Sequence, residues 1–508
     1  MTCTVPGDYA TIQTAVNAFP CDIINVAAGV FNENVIITRD VFINGTGPAT
    51  TTVNGGGSSS VFDISAAVVV TITDMTITNG DAAFGGGIKV VDSTVTLDHV
   101  NILRNVAAQS GGGIYNFNGH VTILNSEITS NEAEVVNGGG IYQAFAGATL
   151  QITDTLISEN NSPNDGGGIY NSGGRVTINS AHIQDNIAQR YGGGIENSAG
   201  FLAVQNSQIL SNTAQVRGGG IDNTGALTAT YSVISYNQAI SPTMPNPTGR
   251  GGGVNNSSPG TAVFEYVTLS HNRTALSAGG IWNGSMLTLW GTVVDGNSAS
   301  SGFGIGGGII NSAGATLEIR ESTISRNAVI ASGGGIHNVG TLAMVNSTVS
   351  GNHANGGGGL YNQATAFIQF STLSENGALA LAGGNLNGAS GTITLTNTII
   401  TDFDGGANCL WADDTIVSLD YNLASDNSCP LTQANDLPNT DSMLGPLQDN
   451  GGPTETHALL PSSPAIDAGN AAACPATDQR GYGRPFGSDC DRGSYEYGFF
   501  IYLPIIVR

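Results

Sequence analysis

The sequence is poor in positive charge. Only 14 of its 508 residues are Lys or Arg, against 38 Asp and Glu, and the formal net charge is −24. Lys89 is the only lysine. Proteins bind nucleic acids through clustered basic side chains, so this composition argues against a nucleic-acid partner. The acidic excess could attract calcium, although it also keeps a weakly charged protein in solution.

Long hydrophobic runs and metal-binding motifs are also missing. No stretch reaches the roughly 20 apolar residues of a membrane-spanning helix, and we expect neither a transmembrane segment nor a signal peptide in this chain. The six cysteines form no C-x-x-C motif and no His cluster accompanies them, so we expect no metal site. They form three sequence-local pairs near the chain ends, which predicts disulfides and a secreted protein. The pairs are Cys3 with Cys21, Cys409 with Cys429, and Cys474 with Cys490.

Glycine, by contrast, is abundant and periodic. The chain has 73 glycines, many of them in triplets followed by an apolar residue. Triplets that begin at Gly85, Gly111, Gly138, Gly166 and Gly192 lie 26, 27, 28 and 26 residues apart. A fixed period of this length is typical of a stacked repeat architecture.

Each repeat contains short strand patterns. Runs such as 121–123 and 176–178 alternate apolar and polar residues, which indicates half-buried strands. A second run ends in asparagine, as at Asn131 and Asn186, and a third follows each glycine triplet. We therefore predict an all-β fold: a right-handed single-stranded parallel β-helix, a solenoid with three short strands per coil. Equivalent residues on coils about 4.8 Å apart should stack, with isoleucines such as Ile114 inside and asparagines in ladders.

The ends of the chain depart from the repeat. Asp8 is placed to cap a short helix in which Ile12, Ala15, Val16 and Phe19 share one face. We predict an N-terminal cap over 1–45, β-helix repeats over 46–400, transitional coils over 401–443, a C-terminal capping domain over 444–497 and an apolar strand over 498–508. A proline-rich insertion at 240–250 is predicted to be a loop, either a tolerated insertion or a binding lip.

Two segments resemble known families. Tyr9-Ala10-Thr11-Ile12-Gln13 and Asn25-Val26-Ala27-Ala28-Gly29, with the repeats to about residue 400, resemble bacterial right-handed β-helix proteins of the pectin-lyase-like superfamily. The motifs LGPLQDNGGPTETHALLP at 444–461, SPAIDAG at 463–469, DQRG at 478–481 and CDRG at 490–493 resemble the choice-of-anchor Q domain. The second resemblance implies a bacterial surface location and no chemistry.

The apolar tail is a candidate for assembly. It is too short to span a membrane, and it could pack on its own coils or add as a strand to a neighbouring molecule, giving fibres. The assembly residues would be Phe499, Phe500, Ile501, Tyr502, Leu503, Ile505, Ile506 and Val507.

One stripe of residues is a candidate for sugar binding. The position after each repeat isoleucine should point outward, and there it is often aromatic: Tyr115, Tyr142, Tyr170, Trp282 and Tyr361. Glu196 and Asp222 occupy the same position on adjacent coils, a spacing compatible with a retaining glycosidase pair. Stacked aromatics also stabilise such ladders without any ligand. The calcium-binding aspartates and basic residues that the resemblance would imply for pectate lyases and polygalacturonases are missing.

These observations lead to two main hypotheses. The first is a secreted, non-enzymatic β-helix on a bacterial surface or in its matrix, with a structural or adhesive role, which could polymerise end to end. The second is a protein that binds or degrades extracellular polysaccharide through the aromatic and carboxylate stripe. A calcium-stabilised adhesin is a third interpretation; otherwise we expect no cofactor.

Overall fold

The fold is seen in a computed structural model that describes residues 1–240, 249–378, 383–401, 407–411 and 415–498. The chain divides into two units. The first contains Met1–Leu287 and Asn297–Gly304, and the second contains Thr288–Gly296 and Ile305–Arg508. Both are parallel β-solenoids, which confirms the predicted all-β, right-handed parallel β-helix class.

Each full coil has four strands. In one coil of the first unit, the alternating strand His120–Leu124 is followed by the pre-asparagine strand Glu127–Thr129, a short strand Glu132–Ala133, and the post-glycine strand Ile141–Ala144. The three predicted strands are present. The fourth has only two residues here, too few for the alternation that marks a strand, and the prediction of three strands per coil left it out.

The strands of the first unit fall into these four classes. The alternating strands are Thr2–Val5, Ile23–Val26, Val41–Asn44, His120–Leu124, Thr149–Thr153, Arg175–Asn179, Phe201–Gln205, Ala226–Thr230 and Thr261–Glu265. The pre-asparagine strands are Gly29–Asn32, Thr51–Asn54, Glu127–Thr129, Leu156–Ser158, His182–Gln184, Gln208–Leu210, Val233–Ser235 and Thr268–Ser270, and Val69–Thr78 and Thr94–Leu103 combine both classes. The short strands are Asp81–Phe84, Val106–Ser110, Glu132–Ala133, Asn161–Ser162, Ile187–Ala188, Thr213–Ala214, Gln238–Ala239, Arg273–Thr274 and Ser298–Ala299. The post-glycine strands, with their earlier equivalents, are Val35–Ile37, Phe62–Ile64, Ile88–Val91, Ile114–Phe117, Ile141–Ala144, Ile169–Ser172, Ile195–Ser198, Ile221–Asn223, Val254–Asn256 and Ile281–Asn283.

The second unit repeats the pattern and adds a hairpin. Its alternating strands are Thr316–Arg320, Thr341–Val345, Thr365–Gln369, Thr392–Thr396 and Ile416–Ser418; the unit boundary falls within Met286–Trp290. The pre-asparagine strands and their equivalents are Val293–Asp295, Thr323–Ser325, Thr348–Ser350, Thr372–Ser374, Ile399–Thr401 and Leu423–Ala424. The short strands are Ala328–Val329, His353–Ala354 and Gly377–Ala378, and the post-glycine strands are Ile309–Asn311, Ile336–Asn338, Leu360–Asn362, Leu386–Gly388 and Cys409–Trp411. Leu444–Gln448 and Thr456–Leu459 form the antiparallel hairpin, and Ala471–Ala473 is a 3-10 helix.

The corners between strands use left-handed backbone conformations. In the example coil these corners are Asn125 (φ 48°), Ser130 (φ 55°) and Gly138 (φ 71°). A Cβ added at Gly138 would lie 2.6 Å from the carbonyl oxygen of Ile141, so this corner requires glycine for space as well as for φ. The glycine periodicity of the sequence therefore marks one corner of most coils, and Ala278 takes the same left-handed conformation (φ 59°) in one of them.

A ladder of buried asparagines stabilises the interior. Asn212 is fully buried; its Nδ2 donates to Asn237 Oδ1 at 3.0 Å and to the carbonyl of Ile183 at 2.8 Å. Its Oδ1 accepts hydrogen bonds from the backbone N–H and the Nδ2 of Asn186. The same pattern recurs through both units, so each amide joins three coils and leaves no polar atom unsatisfied. The isoleucine columns beside the ladder, including Ile114, are also buried.

The N-terminal helix differs from its predicted details. It spans Ile12–Asn17 and buries Ile12, Ala15 and Val16, but its N-cap is Thr11, in a reciprocal capping box with Thr14. Asp8 was the predicted cap and is instead hydrogen-bonded to Thr4. Phe19 was predicted on the buried face and is 89% exposed, because the helix ends before it.

In the second unit, residues 442–498 (the C-terminal segment) pack on the side of the coils. His457 Nε2 lies 2.9 Å from Ser350 Oγ, and Thr348 Oγ1 donates to Gln479 Oε1 at 2.6 Å. These partners come from pre-asparagine strands, so the segment covers the outward side of that sheet.

The three predicted disulfides are present: Cys3–Cys21, Cys409–Cys429 and Cys474–Cys490. Most of the 240–250 insertion and all the assembly residues after 498 lie outside the described residues, so those predictions stay as they are. Within the described ranges, no helix is long and apolar enough to cross a membrane.

Candidate functional site

The stripe after the repeat isoleucines runs in register along the post-glycine strands. Tyr115 pairs with Tyr142, Tyr142 with Tyr170, Tyr170 with Glu196, and Glu196 with Asp222. The structure therefore brings three of the predicted sugar-binding tyrosines and both candidate catalytic carboxylates onto five successive coils of the first unit.

The tyrosines form a stacked ladder. Ring centroids of Tyr115 and Tyr142 are 5.3 Å apart with planes at 6°, and those of Tyr142 and Tyr170 are 5.2 Å apart at 5°. Burial is the main factor that raises the pKa of each of the three hydroxyls. Because neighbouring rings cover each other's faces, this ladder presents ring edges rather than open faces to solvent.

Glu196 and Asp222 are buried rather than open to solvent. Their exposed fractions are 4% and 0%. Asp222 Oδ2 accepts a 2.9 Å hydrogen bond from Arg217 Nε, and its Oδ1 accepts one from Asn255 Nδ2. Burial, followed by the adjacent negative charge of Asp222, raises the pKa of Glu196 well above its ordinary value. Burial also raises the pKa of Asp222, but Arg217 opposes that shift. Glu196 Oε2 is buried and has no hydrogen-bond partner among the described residues.

The surroundings of these two buried carboxyl groups differ from those of a glycosidase site. Retaining glycosidases hold two carboxyl groups about 5–5.5 Å apart on either side of the scissile bond, and inverting enzymes hold them further apart. Glu196 and Asp222 are instead buried, and Asp222 is bound by Arg217 and Asn255, so the pair is not open to a sugar chain. Their predicted catalytic role stays a prediction, and it would require Arg217 to move aside and expose them.

The residues that cover the carboxyl pair come from just before the glycine triplets. Tyr191, Arg217 and Arg250 occupy this position on successive coils, where their backbones form parallel bridges. The Arg217 guanidinium carbon lies 3.8 Å from the centre of the Tyr191 ring. A surface groove of about 270 Å³ is lined by Tyr191, Val216, Arg217, Gly249, Arg250 and Leu276.

Arg250 is the exposed cation of this groove. Its guanidinium carbon lies 5.2 Å from the centre of the Trp282 ring, and it forms no ion pair with any residue that the structure describes. Trp282 is half-buried, so part of its side chain faces solvent as predicted for the stripe. The sequence pattern did not lead us to predict Tyr191, Arg217 and Arg250 as site residues. Their shared position, one residue before a glycine triplet, is nevertheless visible in the sequence.

The fifth predicted aromatic residue lies in the second unit. Tyr361 is half-buried and stacks on His337, with ring centroids 5.0 Å apart. Ser332 Oγ lies 3.1 Å from His337 Nδ1, and burial lowers the pKa of His337. Tyr361 is therefore described with the second unit alone.

Metal ligands are sparse. Within the described ranges, no group of three or more His, Cys, Asp or Glu side chains is placed to hold a metal ion. Calcium binding stays a prediction, which the melting temperature measured with and without a chelator would test.

Comparisons with known proteins add no family assignment. No protein-family model matches the chain, so the choice-of-anchor Q resemblance is not confirmed, and no curated protein matches it. Among solved structures, the pectate lyase Pel9A is 14% identical over 96% of this chain and 91% of that chain, with a TM-score of 0.27. The catalytic domain of a GH87 alpha-1,3-glucanase in complex with tetrasaccharides is 13% identical over 82% and 68%, with a TM-score of 0.32. PfbA, a surface adhesin of Streptococcus pneumoniae, is 12% identical over 73% and 94%, with a TM-score of 0.29. At these values the likenesses assign no activity.

Proposed function

We propose that this protein is an extracellular β-helix that binds polysaccharide without cleaving it, on a bacterial surface or in its matrix. The groove of the first unit carries the proposal. It combines an exposed arginine, Arg250, which has no ion pair among the described residues, with the ring of Tyr191 in its lining and the ring of Trp282 beside Arg250. Aromatic rings pack against the C–H faces of sugars, while a guanidinium pairs with carboxylate or sulfate groups.

The charge distribution supports an acidic sugar at this groove. The whole chain has only 14 basic residues against 38 acidic ones, yet Arg190, Arg217 and Arg250 lie on three successive coils. Arg190 and Arg217 are next to Asp165 and Asp222, whereas Arg250 is available to a ligand. A locally basic groove on an acidic protein favours an anionic ligand at that place.

Binding assays with matched variants test the proposal. Wild-type protein should bind acidic polysaccharides on a glycan array, and Arg250→Gln or Trp282→Ala should weaken binding about tenfold, the loss of one charge-assisted or stacking contact. Arg273→Gln is a control, because Arg273 is an exposed arginine outside the groove. Wild-type binding that neither groove substitution weakens would contradict the proposed site.

Hydrolysis is the competing function, and the raised pKa of Glu196 favours it because a general acid must hold a proton near neutral pH. The release of reducing sugars from a polysaccharide panel by wild-type protein, and its loss in Glu196→Gln, would establish it. Our proposal expects no release from either protein, because both carboxyl groups are buried and Arg217 is bound to Asp222.

The extracellular location and the assembly are also proposals. The three disulfides support an oxidising compartment. End-to-end fibres through residues 499–508 would appear by negative-stain microscopy of native material. Isolated molecules that deletion of 499–508 leaves unchanged would remove self-assembly from the proposal.

A further inference from the structure

We propose that the first unit carries a second sugar-binding site, a ledge on which the ring faces of Tyr231 and Tyr236 stand above the coil of residues 206–211. The inference rests on the proposed function, because it adds a site for an uncharged part of a polysaccharide. The ledge lies on the pre-asparagine strands, whereas the groove follows the post-glycine strands.

Tyr231 and Tyr236 are exposed in backbone conformations that tyrosine seldom adopts. Their side chains are 64% and 55% exposed, and their φ angles are 49° and 60°. On the preceding coil the same two left-handed corners hold Asn206 and Ser211, and on the following coil they hold Tyr266 and His271. A large ring at both corners costs conformational energy and exposes apolar surface, which marks the place as a candidate for function.

Each tyrosine has one ring face covered by its neighbour on the following coil. Tyr231 stacks on Tyr266 with centroids 5.1 Å apart and planes at 12°, and Tyr236 stacks on His271 at 5.0 Å and 17°. Each ring is therefore stacked, nearly parallel, on the ring of the following coil. The opposite ring faces consequently turn toward the preceding coil.

That preceding coil leaves the opposite faces open. Its corners are the short residues Asn206 and Ser211, and Asn206 Nδ2 donates at 3.0 Å to Asn179 Oδ1, one coil further back. The Asn206 side chain therefore turns away from Tyr231. Between the corners, Gln208 is exposed and Leu210 is half-buried. The result is a ledge with two aromatic walls and a floor that contains an amide.

The chemistry of the ledge fits a neutral sugar chain. The two corners are five residues apart, which at strand spacing places the rings roughly 15 Å from each other, enough for a short oligosaccharide along the floor. The C–H faces of its sugars would pack on the ring faces, and the Gln208 amide offers a donor and an acceptor to hydroxyl groups. The described residues that form the ledge include no Lys or Arg, and the net charge of −24 disfavours an acidic ligand there.

A second site on another side of the same coils would make the protein bivalent. A sugar chain on the ledge and another in the groove would be held by different strands of the first unit. A bivalent binder joins two chains, or holds one chain more tightly than either site alone. This would make the protein a cross-linking element of its matrix.

The test replaces the two tyrosines by the residues that the fold already accepts at these corners. The double variant Tyr231→Asn/Tyr236→Ser reproduces the Asn206 and Ser211 corners and should fold, as its melting temperature would verify. The probes are cellohexaose, xylohexaose and chitohexaose, with binding measured by isothermal titration calorimetry. Trp282→Ala is the matched control, because it changes an aromatic residue of the groove and leaves the ledge intact.

We expect wild-type protein and Trp282→Ala to bind at least one probe equally, and the double variant to bind it at least about tenfold more weakly. Equal binding by the double variant, or no binding of any probe by wild-type protein, would overturn the ledge. Neither result would contradict the proposed groove site, because binding of acidic ligands there depends on Arg250. A change in oligomeric state of the double variant in sedimentation velocity would also overturn it, since the rings would then contact a second copy.

Discussion

The same sheet face is open in one unit and covered in the other. In the first unit, outward residues of the pre-asparagine strands such as Glu127 and Gln208 are exposed. In the second unit, the equivalent Thr348 and Thr372 are buried, because the C-terminal segment lies on them. The difference shows that the outward face of the same type of strand can be exposed to solvent or buried under another segment. A few outward side chains decide which of the two occurs.

The covered face is held mainly by polar contacts. Its apolar cluster is small and consists of Ile399, Leu423, Leu444, Leu459 and Ala465. Around it are buried charges and amides, among them Asp478, Gln479, Arg480, Arg484 and Glu496. A buried polar network stabilises a structure only when nearly all its members have partners. The cover of the second unit should therefore be more sensitive to single polar substitutions than the open face of the first.

The largest effect is expected from Arg480→Met in the second unit. Arg480 Nε and Nη2 donate to Asp478 Oδ2 at 2.9 and 2.7 Å, and Nη2 also donates to the carbonyl of Glu496 at 2.7 Å. Removal of the guanidinium leaves the fully buried Asp478 without its cation, which costs about 3–5 kcal/mol. We expect rapid hydrogen exchange throughout residues 442–498, with exchange in the first unit unchanged.

Arg320→Met is the matched control in the same unit. Arg320 is 57% exposed and its ion pair with Glu318 lies on the surface, where such pairs contribute little. Similar exchange in the two variants would show that the C-terminal segment does not depend on its buried ion pair.

A smaller effect, equal in both units, is expected from breaking the asparagine ladder. Asn212→Ala and Asn352→Ala each remove the acceptor of two N–H groups of the preceding asparagine. Two orphaned buried donors cost about 3 kcal/mol together. Local hydrogen exchange should rise around each substitution, and Asn125→Gly, at an exposed left-handed corner, should change little. A much larger loss in one unit would mean that the ladders are not equivalent.

The sequence predicts most of what repeats. The glycine triplets, the isoleucine column that includes Ile114 and the ladder that includes Asn212 recur at one period, because each coil must satisfy the same contacts with the next. The cysteine pairs could be predicted because each is close in sequence. The predictions for Asp8 and Phe19 were wrong because neighbouring residues compete for the ends of a helix. Thr11 forms the cap in place of Asp8, and the helix ends before Phe19.

The burial of the candidate site could not be predicted in the same way. Glu196 and Asp222 occupy outward positions of their strands, and the strand pattern alone makes them exposed. Tyr191 and Arg217 cover them only because the left-handed glycine corner folds the preceding residue back over the strand. The position of the C-terminal segment has a similar cause, since nothing periodic links Gln479 to Thr348. A run of outward Thr and Ser in the second unit is the signal that a covering segment follows.

The pH dependence of stability compares buried carboxyl groups in the two units. Burial is the main factor that raises the pKa of Glu196 in the first unit, and it raises that of Asp491 in the second from 3.8 to about 7. A carboxyl group whose pKa is raised on folding binds its proton more tightly in the folded state. Its contribution to stability is complete below the ordinary pKa and is lost as the pH rises through the folded value. For Asp491 the loss falls between pH 3.8 and about 7.

We therefore expect the C-terminal segment to lose up to about 4 kcal/mol of local stability over that window, measured by hydrogen exchange corrected for intrinsic rates. Asp491→Asn removes the titrating group. Its side-chain oxygen can accept the backbone N–H of Asp467 as Asp491 Oδ1 does, but its amide nitrogen cannot accept the N–H of Tyr497 as Oδ2 does. Exchange of the segment in this variant should be nearly independent of pH there. Glu196→Gln is the counterpart and should flatten the pH dependence of the first unit alone. A variant that flattened both units would show that the pH response belongs to the whole solenoid rather than to either buried carboxyl group.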